Sequence, residues 1–262
     1  MFSFMLPFEV DALRLAGACA VAFCAGLIDA IAGGGGLVQL PGVMSLFPSV
    51  PVVQLLAVNK TSSVCGAFIS FREYFMKVGI DVKKFLGAAV LAFAASLIGA
   101  RTAAKVPNQF LRPLVIVLLF VLILYTLFKK DLGREELIPK LSGRGQMLCG
   151  LLMGLLMGFY DGFFGPGTGN FLIMLMIGVY GMDFLHASAA SKMINLSTNI
   201  AAFLMYLLSG YGNLFLGLSM GLFNLCGAKL GVRLAVLKGS RFIRLLFLLV
   251  SSALLLKQLF FS

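Results

Sequence analysis

The chain is poor in charge. Only 12% of its 262 residues are Asp, Glu, Lys or Arg, and just ten are acidic, whereas soluble domains carry roughly 25% charged residues. A water-facing surface of the usual kind cannot be built from so little. Tryptophan is absent and histidine occurs once, at His186. One imidazole supplies neither a metal cluster nor a nucleophile with its base, so no metal site is expected and the chain does not read as an enzyme. The cysteines, Cys19, Cys24, Cys65, Cys149 and Cys226, fit neither CxxC nor zinc spacing and read as small packing residues. There is no GxxxxGK[ST] run, which excludes a P-loop engine driven by ATP. The amino-terminal stretch lacks the basic start of a cleaved signal peptide, so Ala12 to Ile31 is read as a retained span.

What is abundant is apolar sequence, 60% of the chain. Long runs recur at Ala12–Ile31, Val53–Phe71, Phe85–Ala103, Leu114–Phe128, Met147–Phe164, His186–Leu208, Leu214–Leu230 and Phe242–Phe261. Each approaches the roughly 20 residues that a helix needs to cross hydrocarbon. The fold class expected is therefore an all-α integral membrane protein. Its net charge of +11 falls mostly in short stretches between runs, so it reports topology and not nucleic-acid binding.

The sequence repeats itself. A shift of 132 positions lays GLIDAIAGGGG, from Gly26, on GFYDGFFGPGTG, from Gly158, and matches Asp29 with Asp161, Lys60 with Lys192, and Arg101 with Arg233. The expected organisation is a first repeat over 1–128, a charged cytoplasmic linker over 129–144 and a second repeat over 145–262. Whether the short pieces Leu37–Phe47 and Phe171–Tyr180 cross decides the rest. If they cross, there are about ten passes in inverted halves, and the basic stretches 72–84, 129–144 and 233–244 share the cytoplasmic side. If they only re-enter, there are eight passes in parallel halves, and 233–244 is forced outside against the positive-inside rule. Inverted halves are the reading the charges favour, with both termini outside.

Gly33, Gly34, Gly35 and Gly36 in one half, and Gly165, Pro166, Gly167 and Gly169 in the other, predict a broken helix in each. Each glycine costs roughly 1 kcal/mol against alanine, and Pro166 removes a donor. A helix restarting after such a break, at Gly35 and at Gly167, presents backbone N–H groups and the positive end of its dipole to an anion, with Thr168 among the candidate binding residues. Tight helix crossing is the other use of such glycines. Lys60 and Lys192 lie in otherwise small and polar stretches of long spans, where an ammonium costs at least about 2.5 kcal/mol. They either attract an anion, with Asn59 and Asn195 as hydrogen-bonding neighbours, or pair with Asp29 and Asp161. Those two carboxylates are candidates for proton coupling or gating. His186 reads as structural, and Arg101 and Arg233 as interface anchors.

At these residues the chain resembles the TauE/SafE sulfite exporter family. GLIDAIAGGGGLVQLP followed by AVNKTSS, and GFYDGFFGPGTGNF followed by ASAASKMINLSTNI, are similar to that family's paired signature over nearly the whole chain. The resemblance implies a secondary transporter of the bacterial inner membrane that moves a small anion, a sulfur oxyanion or organosulfonate of the sulfite or sulfoacetate type, usually outward. It implies no cofactor, and a substrate site at the two signatures. Ser191 stands where the repeat would place a second Asn59, so the half-sites are unequal. An anion channel and a non-transporting membrane partner are the rival readings.

Overall fold

The computed structural model describes residues 8–128 and 143–260, and within them the chain is helical throughout. Nine helices follow in order among the described residues: α1 (Ala12–Ala32), α2 (Gly36–Leu46), α3 (Val52–Lys77), α4 (Val82–Lys105), α5 (Asn108–Phe128), α6 (Arg144–Phe163), α7 (Thr168–Tyr180), α8 (Phe184–Leu208) and α9 (Leu214–Phe260). The expected linker lies, over 129–142, outside the described residues. The 132-residue shift carries the starts of α1, α2, α3 and α4 onto those of α6, α7, α8 and α9.

Local chemistry explains the boundaries. Asp11 caps α1 by accepting from the Arg14 N–H, Asp81 caps α4 through Lys84, and Asp183 caps α8 through Leu185 and His186. These are side-chain oxygens satisfying orphan donors of a first turn. The His186 ring also contacts the Asp183 carboxylate at an exposed position, which agrees with a structural role for this histidine. Burial pushes the Asp183 carboxyl up, but the hydrogen bonds and charge of His186 and the amide of Leu185 outweigh it and hold the group below its ordinary value.

α4 ends where Pro107 follows Val106, whose extended backbone (φ −78°, ψ 124°) is what a residue before proline adopts. The repeat places Gly239 at that point of the second half. Glycine does not force a break, and α9 runs on to Phe260 as one helix. The two separate spans expected over 214–230 and 242–261 are thus continuous in the structure.

Among the described residues five helices, α1, α3, α4, α6 and the Leu214–Lys238 part of α9, are long and apolar enough to cross a membrane, and α7 with α8 forms a pair bent by 120° that passes together. α2 and α7 have 11 and 13 residues, about 16 and 20 Å at 1.5 Å per residue, well short of a hydrocarbon core of about 30 Å.

α1 and α2 form an antiparallel hairpin: Gly17 meets Leu46, Gly42 meets Val21, and Gly35 meets Ala25 and Asp29. α6 and α7 form another, with Gln146 and Gly150 against Val179 and Tyr180. Other neighbours run in parallel. Along α4 and α6, Ala88, Ala92 and Ser96 sit against Gly154, Gly158 and Gly162. Along α3, Ala57 meets Gly212 just ahead of α9, and Thr61 and Cys65 meet Gly217 and Gly221 within it. Along α1 and α9, Phe23 and Ala30 meet Gly227 and Gly231. Small residues let these backbones touch, which is how helices pack where no hydrophobic force separates them from lipid.

Candidate functional site

The two hairpins meet tip to tip. At the first tip Gly33 ends α1 in the left-handed region (φ 78°), and its N–H donates to the Asp29 carbonyl. At the second, Gly165 has φ 97° and accepts from both the N–H and the hydroxyl of Thr168. Gly33 lies on Gly169, where an added Cβ would come within 2.5 Å of the Gly169 carbonyl carbon, and Gly36 lies on Pro166 at 2.9 Å by the same measure. Four of the expected site glycines, Gly33, Gly35, Gly36 and Gly169, therefore allow backbone contact, within a hairpin or between tips.

Beside the tips two ion pairs cross between the halves, one buried at both ends and one with a partly exposed carboxylate. Lys60 of α3 places Nζ 2.8 Å from Asp161 Oδ2 on α6, and Lys192 of α8 places Nζ 2.7 Å from Asp29 Oδ2 on α1. The pairs are related by the repeat but are not alike. Lys192 is fully buried and also donates to the Asp29 backbone carbonyl, while Asp29, 24% exposed, accepts from the Gly35 N–H as well. Lys60 instead donates to Asn199 Oδ1 at 3.2 Å and touches Asp161 at an angle that leaves Oδ2 without a regular hydrogen bond. That pair is held by charge more than by geometry. Breaking a buried pair by removing one partner costs about 3–5 kcal/mol, so both fix how the halves meet.

A cavity opens between the tips and α3, α8 and α9. It holds about 410 Å³ of empty space, open solvent at its mouth included. Its walls bring together Gly33, Gly35, Gly36, Gly165, Gly167 and Gly169, and also Asn59, Lys60, Asn195, Asp29 and Asp161. Lys192, Gly34 and Thr168 are not on the wall. Lys192 lies behind Asp29, Gly34 faces the Asn170 amide, and the Thr168 hydroxyl is spent within its own turn.

Three amides that the sequence did not single out complete the region. Asn224 Nδ2 donates to Gln39 Oε1 at 2.7 Å, and Gln39 Nε2 lies 3.5 Å from the Asn59 carbonyl, so α9, α2 and α3 are joined along one wall. Asn170 is buried with both amide atoms unpartnered, and Asn59 Oδ1 is buried without a partner on the wall itself. Lone amides inside apolar helices were the available signal, since each is costly there unless it is bonded. Among the described residues no cluster of His, Cys, Asp or Glu could hold a metal.

The family described as sulfite exporter TauE/SafE matches residues 18–257. The chain is 34% identical to a probable membrane transporter protein of Sinorhizobium sp., over 91% of this chain and 89% of that one. It is 31% identical to a probable membrane transporter protein of Haemophilus influenzae, over 92% of each chain. It is also 33% identical to the probable membrane transporter protein YfcA of Escherichia coli K12, over 100% of this chain and 96% of that one. No solved structure matches it. With a match of that extent and this set of apolar helices, the chain belongs to the TauE/SafE sulfite exporter family as a multi-pass protein of the bacterial inner membrane.

Proposed function

We propose that the protein is a secondary transporter that moves a small anion, a sulfur oxyanion or an organosulfonate, outward across the inner membrane. One observation carries the reading: an ammonium, Lys60, stands on the wall of a polar cavity between two glycine-rich hairpin tips. An ammonium in that setting attracts an anion strongly because little water screens it. Gly165, whose missing Cβ leaves room beside Lys60 Nζ, and Gly167 let a ligand approach the backbone closely. Asp29 and Asp161 hold the lysines between turnovers and serve as the coupling or gating groups. The test is flux through purified protein in liposomes with sulfite, sulfate, thiosulfate, sulfoacetate, taurine and simple carboxylates. Saturable flux of at least one anion, far below channel rates, is expected. No flux of any anion overturns the reading, and unsaturable flux at channel rates makes the protein a pore.

The same reading has the two repeats inserted with opposite orientation. The parallel and antiparallel pairings support it. The α1–α2 hairpin returns the chain so that α3 runs with α1, both being parallel to α9. A connection over 78–81 leads into α4; reversal there makes α6, parallel to α4, run against α1. In a variant without native cysteines, Lys83→Cys is expected to react with an impermeant thiol reagent only from the cytoplasmic side, and Ser209→Cys only from outside. These residues follow the ends of α3 and α8. Labelling of both from one side contradicts inversion.

A further inference from the structure

Resting on that reading of the cavity, we infer that the site takes singly charged anions, each together with one proton carried on Asp161.

The argument is a charge balance. The site holds two ammonium groups, Lys60 and Lys192, and two carboxylates, Asp29 and Asp161, paired across the halves at 2.7–2.8 Å. It is neutral as it stands. An anion that enters must take its place at Lys60, because of the two buried lysines only Lys60 lines the cavity. The anion then stands where Asp161 Oδ2 stands now, and Asp161 loses its cation. Asp161 is 2% exposed, and a carboxylate left so deeply buried without a partner is driven to its neutral form.

The groups facing Asp161 do not offer another cation. Lys60 comes from α3; Tyr206 comes from α8 and donates to the Gly162 carbonyl; Tyr160, its chain neighbour, donates to the Pro166 carbonyl. Asp29 lies across the cavity, already engaged by Lys192. The step balances simply. The ammonium of Lys60 keeps its protons, its contact to the carboxylate is exchanged for a contact to the anion, and Asp161 takes one proton from cavity water. A monoanion and a proton leave the site as neutral as before, so outward movement runs down the anion's own gradient and against the inward proton gradient.

A dianion would leave one uncompensated negative charge in the same space. Neutralising it would need a second proton on Asp29, whose carboxylate holds both Lys192 and the Gly35 N–H. Sulfate and fully ionised sulfoacetate are therefore expected to bind about 100-fold more weakly than methanesulfonate, the cost of a buried unpaired charge.

The experiment uses the full-length protein in liposomes, with methanesulfonate as the probe and a pH dye inside. Wild-type protein should carry one proton with each anion, so its flux should not respond to an imposed membrane potential. Binding in detergent should tighten about tenfold for each unit that the pH is lowered, the linkage slope of one coupled proton. Asp161→Asn, which cannot take up the proton, should bind with no such slope and should carry net negative charge, so that its flux follows the potential. Wild-type flux without protons, a pH-independent affinity in wild type, or proton movement in Asp161→Asn overturns the inference while leaving an anion transporter in place. Absence of anion binding at every pH overturns the underlying reading instead. If Asp161→Asn does not fold, the two wild-type measurements decide alone.

Discussion

Lys60→Ala is expected to lower stability by about 3–5 kcal/mol, because it leaves Asp161 buried without its ammonium. The double variant Lys60→Ala, Asp161→Asn is expected to recover more than half of that loss. Removing both members of a buried pair costs much less than removing one, and a double-mutant cycle isolates the difference. Thermal unfolding of wild type, Lys60→Ala, Asp161→Asn and the double variant in one detergent checks it. A double variant no more stable than Lys60→Ala would mean that the pair contributes nothing, and that Lys60 matters only through the packing of its stem. Anion binding should fall by about 2–5 kcal/mol in both variants, the cost of truncating one side of a buried charge contact. Lys192→Ala should cost less stability than Lys60→Ala, because the Asp29 it strands is partly exposed and keeps the Gly35 N–H, and it should weaken binding less, since of the two lysines only Lys60 lines the cavity.

Gly33→Val is expected to be the most damaging glycine substitution at the tips, by at least about 3 kcal/mol. Two separate penalties meet there. The backbone sits at φ 78°, which a β-branched side chain rarely adopts, and the new Cβ would collide with the Gly169 backbone, which has no flexible end to move aside. Gly178→Ala in α7 is the matched control. Gly178 has open space around its Cβ position, so alanine there should be neutral or stabilise by up to about 1 kcal/mol. Equal melting temperatures for Gly33→Val and wild type would show that the hairpin tips do not press on one another.

The membrane class, the duplication and the two helix breaks were legible in the sequence because each is written locally. Apolar length, matched residues at one offset and consecutive glycines need no tertiary context. Asp29, Lys60, Asp161 and Lys192 were recognisable as partners for the same reason, being costly charges in apolar spans. Their cross-half pairing was not legible, since composition cannot say which carboxylate meets which ammonium. Nor could it show that one lysine would face the cavity and the other lie behind it. Gln39, Asn170 and Asn224 were missed because each is a single amide among apolar neighbours, and its worth depends on a partner far along the chain. The continuity of α9 turned on one position, Gly239 against Pro107 in the first half. The basic stretch over 233–244 separates two apolar runs and suggested an end there, but backbone chemistry does not require one.

The claim on which the rest depends is that an anion binds at Lys60, between the two hairpin tips. It is tested most directly by calorimetric titration of methanesulfonate and hydrogen sulfite into purified wild-type protein and into the double variant Lys60→Ala, Asp161→Asn. The double variant keeps the cavity and is the one expected to remain folded without the ammonium. The account predicts saturable binding of at least one of these anions to wild type, and none to the double variant at the same concentrations. Equal binding to both proteins would place the anion elsewhere and contradict the account.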